Sequence, residues 1–106
     1  MPKFLWQVSY TAQGAKGLLN ESATSRRTAV EGLVQGLGGT IEAWHYAFGE
    51  SDLVVIAELP SSAAAAALSL AVAASGAARI TTTPLFDQDE MDAAAAMSVP
   101  YRAPGA

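Results

Sequence analysis

Residues 39–59, GTIEAWHYAFGESDLVVIAEL, constrain the fold more than any other stretch, because two β-prone runs meet there at a glycine turn. Phe48-Gly49-Glu50-Ser51-Asp52 reads as the turn of a hairpin. If Ala47 stands opposite Asp52, a two- or a four-residue connection gives the same pairing, whereas a three-residue loop flips one strand against the other. Side chains alternate along a strand. One face then carries Ile41, Ala43, His45, Ala47, Asp52, Val54 and Ile56. The other carries Glu42, Trp44, Tyr46, Phe48, Leu53, Val55 and Leu59. Both faces are largely apolar, so both need cover.

The flanking segments supply a sheet and its helices. Residues 3–10 alternate as a first strand, with Phe4, Trp6, Val8 and Tyr10 on one face and Leu5, Gln7 and Ser9 on the other. Gly14 and Gly17 each weaken a helix by about 1 kcal/mol, so residues 12–20 predict only one or two loose turns. A firm helix starts near residues 22–25, any of which suits a cap. Ala23, Val30, Leu33, Val34 and Leu37 form its apolar stripe, with Arg26, Arg27, Glu31 and Gln35 toward water. Gly38-Gly39 stops it. Ser61 or Ser62 caps a second helix over residues 63–75, whose apolar face is alanine with Leu68, Leu70 and Val72. Ile80-Thr81-Thr82-Thr83 makes a fourth strand before Pro84. Asp87 with Glu90 is a capping-box start for a third helix over 88–97, and an extended, proline-bearing arm follows.

The order β-α-β-β-α-β predicts an α+β, ferredoxin-like sandwich with an antiparallel sheet in the order 4-1-3-2 and both helices on one face. Residues 1–86 form the core, and residues 87–106 form a C-terminal helix and arm of the same domain. A small protein does not leave an apolar sheet face in water. Pairing two sheets face to face, as a dimeric α/β barrel, covers it, and the expected partner is therefore a second copy of the chain.

At 106 residues the chain is one domain, and 51% hydrophobic residues suffice for a core. No apolar run reaches the ~18 residues of a membrane span, and the N-terminus lacks a cleavable signal; the expected location is cytoplasmic. Having no cysteine, the chain cannot form disulfides, zinc-thiolate sites or a thiol nucleophile. Ten acids against six bases disfavour a nucleic-acid partner.

MPKF, the SRR before the first long helix, GLGG (residues 36–39), YAFGESD (46–52), VVIAELP, LAVAASGA, TTTPL, EMD (90–92) and the closing YR-x-PG together carry a family resemblance. The chain resembles the GYD domain family, small bacterial and archaeal proteins named for a Gly-Tyr-Asp motif after the second strand. Ser51 stands here in the tyrosine position, so no role of that ring carries over. The resemblance implies the dimeric α/β-barrel group, whose members include cofactor-free monooxygenases, lactone isomerases, haem-binding enzymes and ligand-sensing modules; for activity this is analogy alone.

Two readings stand for His45 and Asp52. As diagonal neighbours on one face they make a general base, the carboxylate orienting the imidazole; otherwise His45 packs and Asp52 ties down the turn. One histidine is too thin a set for zinc or non-haem iron, so no metal is expected. No cofactor motif is present, although haem through His45 is an option on such a fold. Gly36-Leu37-Gly38-Gly39 follows a helix and so is a C-cap rather than a phosphate loop. Gln7, Ser9, His45, Asp52, Thr81 and Thr83 are expected to converge if a pocket exists. Trp6, Trp44 and Tyr46 line a pocket for a flat ligand or are plain core. The sequence thus points to a small-molecule-binding protein, with cofactor-independent catalysis open, or to a non-catalytic oligomerisation or sensing module.

Overall fold

The computed structural model describes all 106 residues. Its elements are β1 (Lys3–Tyr10), α1 (Ala12–Glu21), α2 (Ala23–Gly36), β2 (Thr40–Tyr46), β3 (Leu53–Glu58), α3 (Ser62–Ser75), β4 (Ala78–Leu85) and α4 (Gln88–Ala96). The strands form one open antiparallel sheet, β2-β3-β1-β4, which is the expected order read from the other edge. No helix is long and apolar enough to cross a membrane.

Period-two burial builds the core. Phe4, Trp6 and Val8 of β1 and Leu53, Val55 and Ala57 of β3 are buried on one face, joined by Val34 of α2 and by Ala65 and Leu68 of α3. Leu5, Gln7, Ser9, Val54 and Ile56 alternate with them and stay half-exposed on a face that no helix covers. The hairpin has the even register: Tyr46 faces Leu53, and the Ala47 N–H donates to the Asp52 carbonyl at 2.9 Å. A bulge between Ile41 and Ala43 corrects one end of the expected faces. Ile41 packs against the core. Glu42 is turned to the open face, where it pairs with Lys3 at 3.0 Å.

The helices depart from expectation where tertiary contact overrides propensity. Residues 12–21 form a full helix, capped by the Thr11 hydroxyl on the Gly14 N–H. Gly14 belongs there because a Cβ would collide with the Ala77 carbonyl oxygen. Ser22 both ends α1 and caps α2, at φ 110° and ψ 152°, a region that only glycine adopts without strain. Leu33 and Leu70, placed on the apolar stripes by spacing, point outward at 53% and 70% exposure. The helices seat instead on Val34, Ala65 and Leu68, small or slim side chains that allow close approach. Ser61 caps α3, and Gly76 ends it in the left-handed conformation at φ 75°. β4 runs through Pro84, which as an edge-strand residue forfeits no ladder bond.

Asp87 and Glu90 form the expected capping box. Every residue from 86 to 106 is exposed, and the radius of gyration of 16.8 Å exceeds the about 13 Å of a compact chain this long. Helix α4 and the arm stand off the body.

Candidate functional site

The sheet register divides the expected site residues between two places. On the open face, His45, Val54, Gln7 and Thr81 lie in one row across β2, β3, β1 and β4. Thr83 stands beside Leu5 in the next row, and Ser9 beside Arg79 on the other side. Strands are spaced about 4.8 Å apart, so the His45 and Gln7 backbones are about 10 Å apart, with Val54 between them. The Ser9 hydroxyl already donates to the Glu50 carbonyl at 3.2 Å, and the Thr81 hydroxyl reaches the Gln7 carbonyl at 3.5 Å. At the far end Glu42, by hydrogen bond and charge, holds the Lys3 ammonium above its ordinary pKa.

Asp52 is not with His45. Its Oδ2 accepts the Tyr10 N–H at 2.8 Å, and its own N–H donates to the Val8 carbonyl at 2.8 Å. The carboxylate closes the end of β1 and lines a helix-side recess with Tyr10, Leu18, Tyr46 and Phe48. The exposed His45 ring takes no part in the hydrogen bonds of the chain. The proton-sharing pair expected across the hairpin is therefore absent, because the bend at residues 49–52 turns Asp52 out of the strand alternation.

Trp44 and Tyr46 also belong to the helix side, packed edge to face with ring centroids 6.1 Å apart. Trp44 and Trp6 are 8% and 1% exposed, and both line a cavity of about 50 Å³ between the sheet and the helices. Val55 and Leu68 form much of its wall, with Tyr10, Arg26 and Ser75 also on the lining. Neither indole N–H has a hydrogen-bond partner, an omission worth about 1–3 kcal/mol for each buried donor. Burial pushes the Tyr10 hydroxyl up to about 12, with Tyr46 and Asp52 acting in the same direction and Arg26 against it. Sequence reasoning passed over Tyr10 and set Arg26 in water. Arg27 makes the i,i+4 ion pair of α2 with Glu31, at 3.1 Å. Arg26 is half-buried against the sheet. The available signal was position: Tyr10 shares the face of Trp6, and Arg26 precedes Val30 by one helical turn.

No group of three or more His, Asp or Glu side chains is arranged to hold a metal ion. Among known proteins, the family model for the GYD domain matches residues 4–95. No curated protein and no solved structure gives a significant match.

Proposed function

The chain belongs to the GYD domain family, and from that premise we propose that it is a cytoplasmic, small-molecule-binding homodimer whose two ferredoxin-like sheets close face to face as a dimeric α/β barrel. The observation that carries this reading is the uncovered sheet face. Leu5, Val54 and Ile56 are only half-buried there, at positions where a central strand of a finished core would be closed. A second copy brings the same apolar patch and satisfies it isologously. Gln7, His45, Thr81 and Thr83 then line the enclosed space, and His45 is the natural proton acceptor within it. Arm residues Val99 and Tyr101, 74% and 76% exposed, have no seat on their own chain and reach the partner.

One observation favours the alternative of a non-catalytic oligomerisation or sensing module: the Asp52 carboxylate, needed to orient His45, is committed to the Tyr10 N–H. Both readings share the assembly and differ in the ligand. Light scattering should give a dimer at micromolar concentration, and Val54→Glu, in the centre of the open face, should give a folded monomer. A monomeric wild type refutes the assembly. A thermal-shift screen with aromatic acids, quinones, haem and divalent metals separates the two functions, since a ligand at 100 times its Kd adds about 2.7 kcal/mol. A shift that His45→Asn abolishes supports binding inside the barrel, and a flat screen favours the module.

A further inference from the structure

Strand β4 is an edge of the sheet, and its polar backbone groups can be assigned one residue at a time. The N–H and C=O of a strand residue point to one side, and those of the next residue to the other. At the two ends of β3, the N–H groups of Leu59 and Asp52 donate to the Pro2 and Val8 carbonyls, at 3.0 and 2.8 Å. Even-numbered residues of β1 therefore bond β3, and odd-numbered ones bond β4. Their partners on β4 are Arg79, Thr81, Thr83 and Leu85. Ile80 and Thr82 are left aiming donor and acceptor at the free edge, in phase with Pro84. A bare edge of this kind is a template for a further strand. The opposite edge, β2, is broken by its bulge between Ile41 and Ala43.

The ground beside β4 is shaped for such a strand. The Thr82 hydroxyl meets the Ser69 hydroxyl of α3, which sets the helix over the edge. A groove of about 480 Å³ runs along Ile80 and Thr82 and is walled by Ala66, Leu70 and Ala73. The alanines leave room for a neighbour, and Leu70 stands 70% exposed beside them.

The C-terminal arm carries the matching pattern. In residues 98–104, SVPYRAP, Pro100, Arg102 and Pro104 share one phase. Extended, that edge has lost two donors and carries a charge, so it pairs with nothing further. The other edge keeps every N–H and C=O of Val99, Tyr101 and Ala103. Those three also share a side-chain face, so Val99 and Tyr101 enter the groove together. In the lone chain the Tyr101 N–H turns back on the Val99 carbonyl at 2.7 Å, a local bond that extension exchanges for one to β4.

We propose that the arm of a second copy adds to β4 as a fifth strand, bonding through Val99, Tyr101 and Ala103 and packing Tyr101 against Leu70. This inference rests on the reading of the chain as a homodimer. The arm does not serve its own edge, since every residue from 86 to 106 is exposed. Helix α4 spans about 14 Å and residues 97–104, extended, about 26 Å, enough to cross a body 33 by 22 Å in its shorter extents. A stable dimer buries about 800 Å² per partner. One tyrosine offers about 150–250 Å², and reciprocal exchange seats two arms.

Amide hydrogen exchange on the full chain tests the strand. Ile80 and Thr82 should exchange at least about tenfold more slowly than amides of a bare edge, close to Thr81 and Thr83. Tyr101→Pro removes a donor from the pairing edge and should release Ile80 and Thr82 while Thr81 and Thr83 stay protected. Arg102→Pro, the next residue but in the outward phase, should leave all four protected; equal effects of the two prolines overturn the proposal. The chain has no cysteine, so Leu70→Cys combined with Tyr101→Cys reports which arm is seated. Oxidation should give a covalent dimer, whereas an internally bridged monomer would overturn the exchange. A dimer whose Ile80 and Thr82 amides exchange freely overturns this proposal and leaves the homodimer standing. A monomeric wild type overturns both.

Discussion

Gly14 and Gly17 sit one turn apart in α1, and replacing each by alanine should have opposite effects. Alanine is preferred over glycine in a helix interior by about 1 kcal/mol. At Gly17 nothing lies within 4 Å of a new Cβ, so Gly17→Ala should gain most of that amount. At Gly14 the new Cβ meets the Ala77 carbonyl oxygen, with a Tyr10 ring carbon 3.2 Å away. That carbonyl also accepts the Thr11 N–H at 3.0 Å and the Thr11 hydroxyl at 3.1 Å. Displacing it loosens the bonds that fasten α1 to the start of β4, each worth about 0.5–1.5 kcal/mol. Overpacking adds about 1–3 kcal/mol. With the helical gain subtracted, Gly14→Ala should lose about 2 kcal/mol, some 3 kcal/mol below Gly17→Ala. Urea unfolding reads the difference directly, because slopes of about 1–3 kcal/mol per molar place the two midpoints roughly 1–3 M apart. If Gly14→Ala is as stable as Gly17→Ala, helix α1 is not seated on Ala77 and the account of its formation fails.

Asp52→Ala leaves the half-buried Tyr10 N–H without an acceptor and should cost about 1–2 kcal/mol in urea unfolding, whereas Asp52→Asn keeps an acceptor and should recover most of it. His45→Asn, at an exposed ring, should stay within about 0.5 kcal/mol of wild type in a monomeric background such as Val54→Glu; a matching loss at both positions would revive the pair. The raised Tyr10 pKa implies stability that is complete below pH 10, where the unfolded phenol is still protonated, and that drains away as pH climbs toward about 12. Absorbance titration at 295 nm should show a late phenol, removed by Tyr10→Phe, and that variant should lose less stability across this window than the wild type. Ser22→Gly should stabilise by about 1 kcal/mol, since relief of the backbone strain outweighs the few tenths lost at the cap; a loss in thermal melting would show that Ser22 is comfortable at its positive φ.

What the sequence disclosed, and what it did not, follows from how far each signal reaches. Alternation is a property of neighbouring residues, so β1 and β3 could be read from Phe4-x-Trp6-x-Val8 and Leu53-x-Val55-x-Ala57 alone. The hairpin register followed too, since pairing Ala47 with Asp52 fixes every partner up to the bulge. The bulge at Glu42 carries no glycine or proline to announce it, and its motive, the ion pair with Lys3, lies 39 residues away in the chain. Gly14 deceived for a related reason. Viewed locally a glycine breaks helices, but against the Ala77 carbonyl it is the one residue that lets this helix lie down. Spacing likewise placed Leu33 and Leu70 inward, because it reports that a helix has an apolar stripe but not which edge of that stripe meets the sheet.

The candidate site was legible in composition and not in geometry. Residue types named His45, Asp52, Trp44, Tyr46 and the threonines, and the topology then sorted them onto opposite faces of one sheet. A strand is a two-sided object, so polar residues a few positions apart belong to one site only if the turn between them preserves the alternation. Here the Asp52 carboxylate bonds the Tyr10 N–H, and the bend that allows this removes it from the face of His45. The unpartnered indoles lie further still from sequence reasoning. A void exists where six elements fail to fill the space between them, and no single segment records it. Trp6 and Trp44 are good core residues on any hydropathy scale; that their N–H groups find no acceptor emerges only once α2 and α3 are in place above them.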